Sequence, residues 1–233
     1  MATSYPFKPI VTDGLVLYLD AANLKSYPVT GTTWFDLSKN LHDAALLNGV
    51  LFNSNVMSFD GVNDYVLITD NIAPGAGDFT VSCWVYKTTE LAIGRYIWDF
   101  GANGGTLLTG TNNGPGFMYY NSTVGLQTTP SNPIILNTWY NVVVSRISSV
   151  TKIYLDGVQI SSFSDTGNIP TSLVGGLYSY FTIGNYGDGG SYNYLGYISN
   201  ILVYNKGLDQ VDITQNYNAL KNRFIIWQTT IHM

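Results

Sequence analysis

Side chains that could take part in catalysis are few in this chain. Its 233 residues include one glutamate, Glu90, two histidines and one cysteine, Cys83. A glycosidase built on a pair of glutamates is therefore impossible, and a zinc site with several histidine ligands is not expected. Cys83 alternates with apolar residues in the segment 79–86, which predicts a small buried side chain rather than a nucleophile. We expect no enzyme activity and no catalytic residue.

Residues suited to binding are more abundant, and many lie in or near two glycine-rich segments, 101–116 and 184–196. Tyrosine rings can stack on the apolar faces of sugars, while asparagine, aspartate and backbone groups can bond sugar hydroxyls. The same composition is typical of surfaces that contact proteins, and tyrosines can also simply cover the faces of a sheet. The candidate ligand-binding residues are Asn112, Asn113, Tyr119, Tyr186, Asp188, Tyr192 and Tyr194.

A further candidate site is the segment FDGVNDYV at 59–66. Asp60, Asn63 and Asp64 offer the hard oxygen ligands that calcium prefers. The same residue types are typical of a turn, because Asp and Asn side chains bond the nearby backbone and Gly61 tolerates a strained dihedral angle. Three oxygens from one segment are too few for a calcium ion, so the turn is favoured. Calcium is the only candidate cofactor.

Charge is sparse in this sequence and excludes two classes of partner. Charged residues make up 11% of the chain, and the formal net charge is −5. The ten Lys and Arg residues are scattered, so the basic patch of a nucleic-acid-binding protein is missing. No apolar run reaches 18 residues, so we expect no membrane insertion. Residues 1–9 lack the features of a signal peptide, so we expect synthesis in a host cytoplasm.

The elements that must position these residues are mostly strands. Short runs of β-branched and aromatic residues, separated by Gly, Asn, Asp, Ser and Pro, predict roughly a dozen strands in two antiparallel sheets. Asp156-Gly157 predicts a two-residue hairpin turn, and the segment 60–64 predicts a second hairpin. One helix is predicted at about 210–222, with Asp209 as its N-cap.

The predicted organisation is one domain with an extension at each end. We expect an N-terminal arm over residues 1–14, a domain over 15–222 and an apolar extension over 223–233. The two glycine-rich segments are expected to be long loops at the rims of the sandwich. An exposed apolar extension would be a liability, so it either folds back as a strand or docks on a partner. The candidate docking residues are Phe224, Ile225, Ile226 and Trp227.

Four blocks, in order along the chain, resemble one family. They are FDGVNDYV at 59–66, FTVSCWVY at 79–86, WYNVVVSR at 139–146 with IYLDG at 153–157, and FTIG at 181–184 with GYISNILVYNKGL at 196–208. Together they are similar to the laminin-G-like branch of the concanavalin A-like lectin/glucanase superfamily, over roughly residues 15–222. This resemblance implies an all-β jelly-roll sandwich of two curved antiparallel sheets, with one short C-terminal helix.

The opening segments, 14–23 and 31–38, resemble a narrower group of single-domain chains that are common among tailed-phage virion proteins. The resemblance implies a non-enzymatic, lectin-like protein of a phage or virus particle, as a head decoration or a tail or fibre component. Its expected partners are other virion proteins, further copies of itself and a cell-surface glycan. The alternatives are a free carbohydrate-binding module and a divergent polysaccharide hydrolase.

Overall fold

A computed structural model describes residues 8–89, 94–101, 106–110, 116–128, 134–169, 180–187 and 192–224. These residues form sixteen strands and one helix. The strands are β1 (Leu15–Asp20), β2 (Thr33–Trp34), β3 (Ala44–Leu47), β4 (Leu51–Asn53), β5 (Val56–Asp60), β6 (Tyr65–Ile68), β7 (Phe79–Lys87), β8 (Arg95–Asp99), β9 (Thr106–Gly110), β10 (Gly116–Asn121), β11 (Gly125–Thr128), β12 (Trp139–Ile147), β13 (Val150–Leu155), β14 (Val158–Ser164), β15 (Phe181–Ile183) and β16 (Leu195–Tyr204). The helix is α1 (Gln210–Leu220).

The strands form two antiparallel sheets of eight strands each. Sheet A has the order β14-β13-β12-β7-β16-β5-β4, and β1 also pairs with β16. Sheet B has the order β11-β10-β9-β8-β15-β6-β3-β2. The predicted all-β fold of two antiparallel sheets with one C-terminal helix is therefore confirmed.

The core lies between the two sheets and follows the alternation of the strands. On β7, Phe79, Val81 and Cys83 face this core and are fully buried. Cys83 is thus the buried side chain that was predicted, and burial raises the pKa of its thiol. Trp84 points to the outer side of sheet A and is also buried, because the C-terminal helix packs over that face.

One of the two predicted hairpins is confirmed. Leu155 of β13 is paired directly with Val158 of β14. Between them, Asp156 and Gly157 adopt φ angles of 50° and 82°, as a tight hairpin turn requires.

The hairpin predicted around 60–64 is wrong. β5 belongs to sheet A, where Phe59 is paired with Gly196, whereas β6 belongs to sheet B, where Val66 is paired with Ile183. Each strand takes a partner that is distant in sequence, so the segment between them carries the chain from one sheet to the other.

The helix begins as predicted, at the Asp209 N-cap. The Asp209 carboxylate accepts hydrogen bonds from the backbone N–H groups of Val211 and Asp212. The helix is followed by Arg223, whose guanidinium donates to the Asp20 carboxylate at 2.7 and 2.8 Å. Within the described ranges, no helix is long and apolar enough to cross a membrane.

The glycine-rich segment 101–116 is not one continuous loop. It contains β9, which pairs with β8 and β10 in sheet B. A strand of five residues, TLLTG, between glycine-rich stretches gives no strong sequence signal, and its position depends on these two neighbours. The segment 184–196 is a connection from the end of β15 to the start of β16 at Leu195.

Candidate functional site

Three tyrosine rings meet at the outer side of sheet B. The Tyr96 ring centroid lies 4.9 Å from that of Tyr186 and 5.8 Å from that of Tyr192. Tyr192 is 41% exposed, and the other two rings are partly exposed. Burial raises the pKa of Tyr96, and the nearby Asp99 and Tyr120 raise it further. We call Tyr96, Asp99, Tyr120, Tyr186 and Tyr192 the tyrosine site.

Asp99 lies at the base of the tyrosine site. It is 1% exposed, and burial raises its pKa well above the usual range, although backbone N–H groups of Gly101 and Gly187 donate to its carboxyl group. No group in the described part of the chain bonds its buried Oδ2 atom. A buried carboxyl with an unused oxygen has a strong tendency to take a hydrogen-bonding partner.

Asn185 supplies further unused hydrogen-bonding capacity beside Asp99. Its side chain is fully buried, and neither amide atom has a partner among the described residues. Thr182, which is paired with Asp99 across β15 and β8, donates its hydroxyl to the backbone oxygen of Asn185 at 3.0 Å. The chain after β15 therefore turns back next to the carboxyl.

Strand irregularity places the tyrosines and Asp99 on one face. The register between β8 and β9 shifts between Tyr96 and Trp98, and both Ile97 and Trp98 belong to the core. Tyr96 and Asp99, which flank them, are thereby left on the side away from the core. The Tyr96 N–H donates to the Tyr192 oxygen at 3.0 Å, which ties the connection before β16 to this strand.

Glycine is required where this connection begins. Gly184 has a φ of 86°, and a Cβ at this position would lie 2.6 Å from the Phe59 ring. Its N–H donates to Ile97 and its oxygen accepts from Tyr194, so the turn is fixed between β8 and β16.

The structure places the predicted ligand-binding residues in three groups. Tyr186 and Tyr192 belong to the tyrosine site, as their position in a glycine-rich segment suggested. Asn112, Asn113 and Asp188 lie outside the described residues.

The prediction that Tyr119 and Tyr194 bind the ligand is corrected, because both side chains are buried in the interior. Tyr119 is fully buried, with its hydroxyl bonded to Asp165 at 3.3 Å, and Tyr194 donates its hydroxyl to the Tyr86 oxygen at 3.1 Å. Strand register turns Tyr119 inward, and Tyr194 lies just before β16, where its N–H donates to the Gly184 oxygen. Neither arrangement is visible from loop composition.

Sequence reasoning missed Tyr96, Asp99 and Asn185. The segment RYIWDF does contain a carboxylate beside aromatic residues. However, strict alternation would place Tyr96 and Trp98 on the same face, and the bulge places them on opposite faces.

The predicted metal residues form a turn. Asp60 Oδ1 accepts the Val62 N–H at 2.8 Å, and Asp64 Oδ2 accepts the Asp60 N–H at 2.9 Å. The backbone oxygen of Asn63 accepts the Asn48 amide. Within the described ranges, no group of three or more His, Cys, Asp or Glu residues could hold a metal ion. Calcium binding stays a prediction.

A cleft of about 190 Å³ lies on the outer side of sheet A, away from the tyrosine site. It is lined by Trp84, Thr138, Trp139, Asp156, Tyr217, Lys221 and Phe224. Its aromatic rings pack on each other, with the Phe224 and Trp84 centroids 4.0 Å apart. Phe224 was predicted to dock on a partner, and this is corrected: its ring is buried against Trp84 and Trp139 of sheet A in the same chain. Ile225, Ile226 and Trp227 lie outside the described residues.

Two antiparallel sheets, with tyrosines and unpaired polar atoms gathered on the outer side of one of them, define a lectin-like jelly-roll domain. The chain belongs to the concanavalin A-like lectin/glucanases superfamily, since the Laminin_G_3 family model matches residues 60–214. Comparison with curated proteins gave no match.

Several solved structures share the fold. A mutant of Trypanosoma rangeli sialidase with trans-sialidase activity is 18% identical, with a TM-score of 0.68 over 93% of this chain and 34% of that chain. Domain 4 of AbnA, an extracellular arabinanase from Geobacillus stearothermophilus in complex with arabinotriose, is 15% identical, with a TM-score of 0.66 over 89% of this chain and 100% of that chain. A structure of botulinum neurotoxin type C, whose cell entry depends on two ganglioside molecules, is 17% identical, with a TM-score of 0.64 over 89% of this chain and 51% of that chain.

These comparisons correct the expectation that the protein has no enzyme activity. Sialidases and an arabinanase are glycoside hydrolases, so this fold also occurs in enzymes, and the expectation of no enzyme activity does not follow from it. The single glutamate excludes a mechanism with paired glutamates, but it does not exclude hydrolysis that uses aspartates. The chain spans about a third of the length of the sialidase chains.

Proposed function

We propose that this chain is a carbohydrate-binding domain and that its ligand binds at the tyrosine site. The observation that carries this proposal is the contact among the rings of Tyr96, Tyr186 and Tyr192 above the buried Asp99 carboxyl. Binding sites for small ligands typically combine an aromatic surface with a few convergent polar groups. Here the rings offer faces for stacking, and Asp99 and Asn185 hold polar atoms that have no described partner.

Two structural relatives that interact with carbohydrates support this proposal. One is an arabinanase domain in complex with arabinotriose, and another is a toxin whose cell entry depends on gangliosides. The superfamily itself is described as lectins and glucanases.

Binding to glycans, measured on a glycan array and then by calorimetry on the best ligand, tests the proposal. We expect Tyr186→Ala and Tyr192→Ala each to weaken binding about tenfold, which is about 1.4 kcal/mol. Both changes remove a ring that contacts Tyr96 without opening the core. The matched control is Tyr197→Ala, since Tyr197 is also partly exposed but packs on Tyr86 in sheet A. Equal losses in all three variants would contradict this location.

A second candidate function is glycoside hydrolysis, and Asp99 is the observation that favours it. A carboxyl whose pKa is raised by burial can act as a general acid on a glycosidic oxygen. Incubation with arabinan and other neutral polysaccharides, followed by a reducing-sugar assay, tests this candidate. Sugar release that is lost in Asp99→Asn would support it, and release that is unchanged in this variant would exclude Asp99 as the acid.

The biological setting that we propose is a phage or virus particle, in which the domain contacts a cell-surface glycan, other virion proteins or further copies of itself. This proposal is supported by the resemblance of segments 14–23 and 31–38 to tailed-phage virion chains. Copurification of the protein with particles tests it, and a protein found only in the soluble fraction of infected cells would contradict it.

A further inference from the structure

We propose that the tyrosine site selects neutral oligosaccharides and discriminates against sugars that carry a carboxylate. This inference rests on the proposed function and adds the chemical class of the ligand. It does not follow from the relatives, several of which are sialidases, one of them in complex with the acidic sugar sialic acid. It follows from the distribution of charge around the site.

Every lysine and arginine of the protein lies within the described ranges. The ten Lys and Arg residues are Lys8, Lys25, Lys39, Lys87, Arg95, Arg146, Lys152, Lys206, Lys221 and Arg223. All ten lie within the described ranges, and sheet B contains only one of them, Arg95, on the strand that also carries Tyr96. Because Arg95 is the basic residue that neighbours Tyr96 on the same strand, its direction bears most directly on whether an acidic sugar finds a counter-ion at the site.

Arg95 points away from the tyrosine site. It is paired with Thr109 of β9, which is buried and accepts a hydrogen bond from the Lys87 ammonium at 3.2 Å. Lys87 comes from sheet A, so Thr109 faces the space between the two sheets. Residues that are directly paired point to the same side of a sheet, so Arg95 shares this direction and Tyr96 takes the opposite one.

The sequence segments that adjoin these strands contain acidic residues and no Lys or Arg. Residues 90–93, 102–105, 111–115 and 188–191 contain Glu90 and Asp188, and they contain no Lys or Arg. The site itself holds the Asp99 carboxyl. An acidic sugar would lose its hydration here without gaining an ion pair, which is a large cost for a charged group. A neutral sugar brings only hydroxyls, which suit the unpaired oxygen of Asp99 and the amide of Asn185.

Matched pairs of neutral oligosaccharides and their sialylated forms, such as lactose and sialyllactose, test this inference on one array at low ionic strength. We expect the neutral member of each bound pair to bind at least tenfold more tightly. Preference for the sialylated members, lost in Tyr192→Ala, would overturn the inference and leave the proposed function standing. Failure to bind any glycan would overturn both.

A variant that adds a positively charged side chain next to the tyrosine site provides a second test. Leu126 of β11 is 36% exposed and is paired directly with Tyr120. We expect Leu126→Lys to improve binding of the sialylated forms several-fold at low salt and to leave binding of neutral forms unchanged. Val158→Lys is the matched control, because Val158 is an exposed apolar residue at the edge of sheet A. Equal improvement by both variants, or by neither, would overturn the inference.

Discussion

Asp99 differs from the carboxylates that serve as local caps. Asp209 caps the helix and Asp60 bonds the backbone of its own turn, whereas Asp99 is buried next to Tyr96 and one of its oxygens has no partner among the described residues. Burial of a carboxyl disfavours its ionised form. Such an arrangement costs stability at neutral pH, and costs of this kind are typical of functional sites.

The raised pKa of Asp99 predicts a pH-dependent effect of Asp99→Asn. In the unfolded chain this carboxyl ionises near pH 3.9. The folded protein holds the proton to a higher pH, so the stability of the folded state falls as pH rises through that interval. We therefore expect Asp99→Asn to raise Tm by about 2–4 °C at pH 7 and to change it little at pH 4.

Thermal unfolding of the wild type and the variant at both pH values checks this prediction. Asp60→Asn is the control, because Asp60 is exposed and asparagine can still accept the Val62 N–H. A loss of Tm in Asp99→Asn at pH 7 would contradict the account of this carboxyl.

Part of the site could be predicted from the sequence. Tyr186 and Tyr192 were found because glycine-rich segments with tyrosines form accessible loops. Tyr194, which precedes β16, was wrong because it is buried and its hydroxyl bonds the Tyr86 oxygen. Tyr119 was wrong, and Tyr96 was missed, because the side to which a strand residue points depends on register and bulges. These are set by pairing with strands that are distant in sequence.

At the scale of elements, features that depend on a few consecutive residues were predicted correctly, whereas the pairing of strands that are distant in sequence was not. The Asp209 cap and the Asp156-Gly157 turn each depend on a few consecutive residues, and both were predicted correctly. The segment 60–64 contains equally good turn residues but joins two different sheets. β5 joins sheet A by pairing with β16, and β6 joins sheet B by pairing with β15. The residues of segment 60–64 do not specify these distant partners.

Phe224, which follows α1, packs on Trp84 and Trp139 of sheet A, and this predicts the effect of Phe224→Ala. Phe224 is 5% exposed and stacks on Trp84, so truncation leaves a cavity. We expect the free energy of unfolding to fall by about 3 kcal/mol. Urea denaturation measures this change.

Val211→Ala is the control for this prediction, since Val211 is 73% exposed on the same helix and its truncation should change stability by less than about 0.5 kcal/mol. Glycan binding by Phe224→Ala, measured under native conditions, should equal that of the wild type. A selective loss of binding would contradict the assignment of the ligand to sheet B.

The whole molecule has two unlike faces. The C-terminal helix and an aromatic cluster cover sheet A, whereas sheet B presents the tyrosine site on its outer side. Basic residues are correspondingly rare on sheet B, where Arg95 alone is found. A charge-poor sequence is therefore organised into a covered face and a face suited to uncharged ligands.

This organisation predicts a weak dependence of neutral-glycan affinity on salt. Added salt screens interactions between charges, and a neutral ligand contributes none. We expect the affinity to change less than about twofold between 50 and 500 mM NaCl. Calorimetric titration across this range provides the measurement, and a steep loss of affinity would indicate that ionic contacts dominate binding.

The central claim is that the ligand binds at the tyrosine site, and amide chemical-shift mapping during a titration with the best neutral glycan tests it most directly. The account predicts that the largest shifts occur at Tyr96, Asn185, Gly187 and Tyr192. Shifts that are confined to Trp84, Trp139 and Lys221, around the cleft on sheet A, would contradict it.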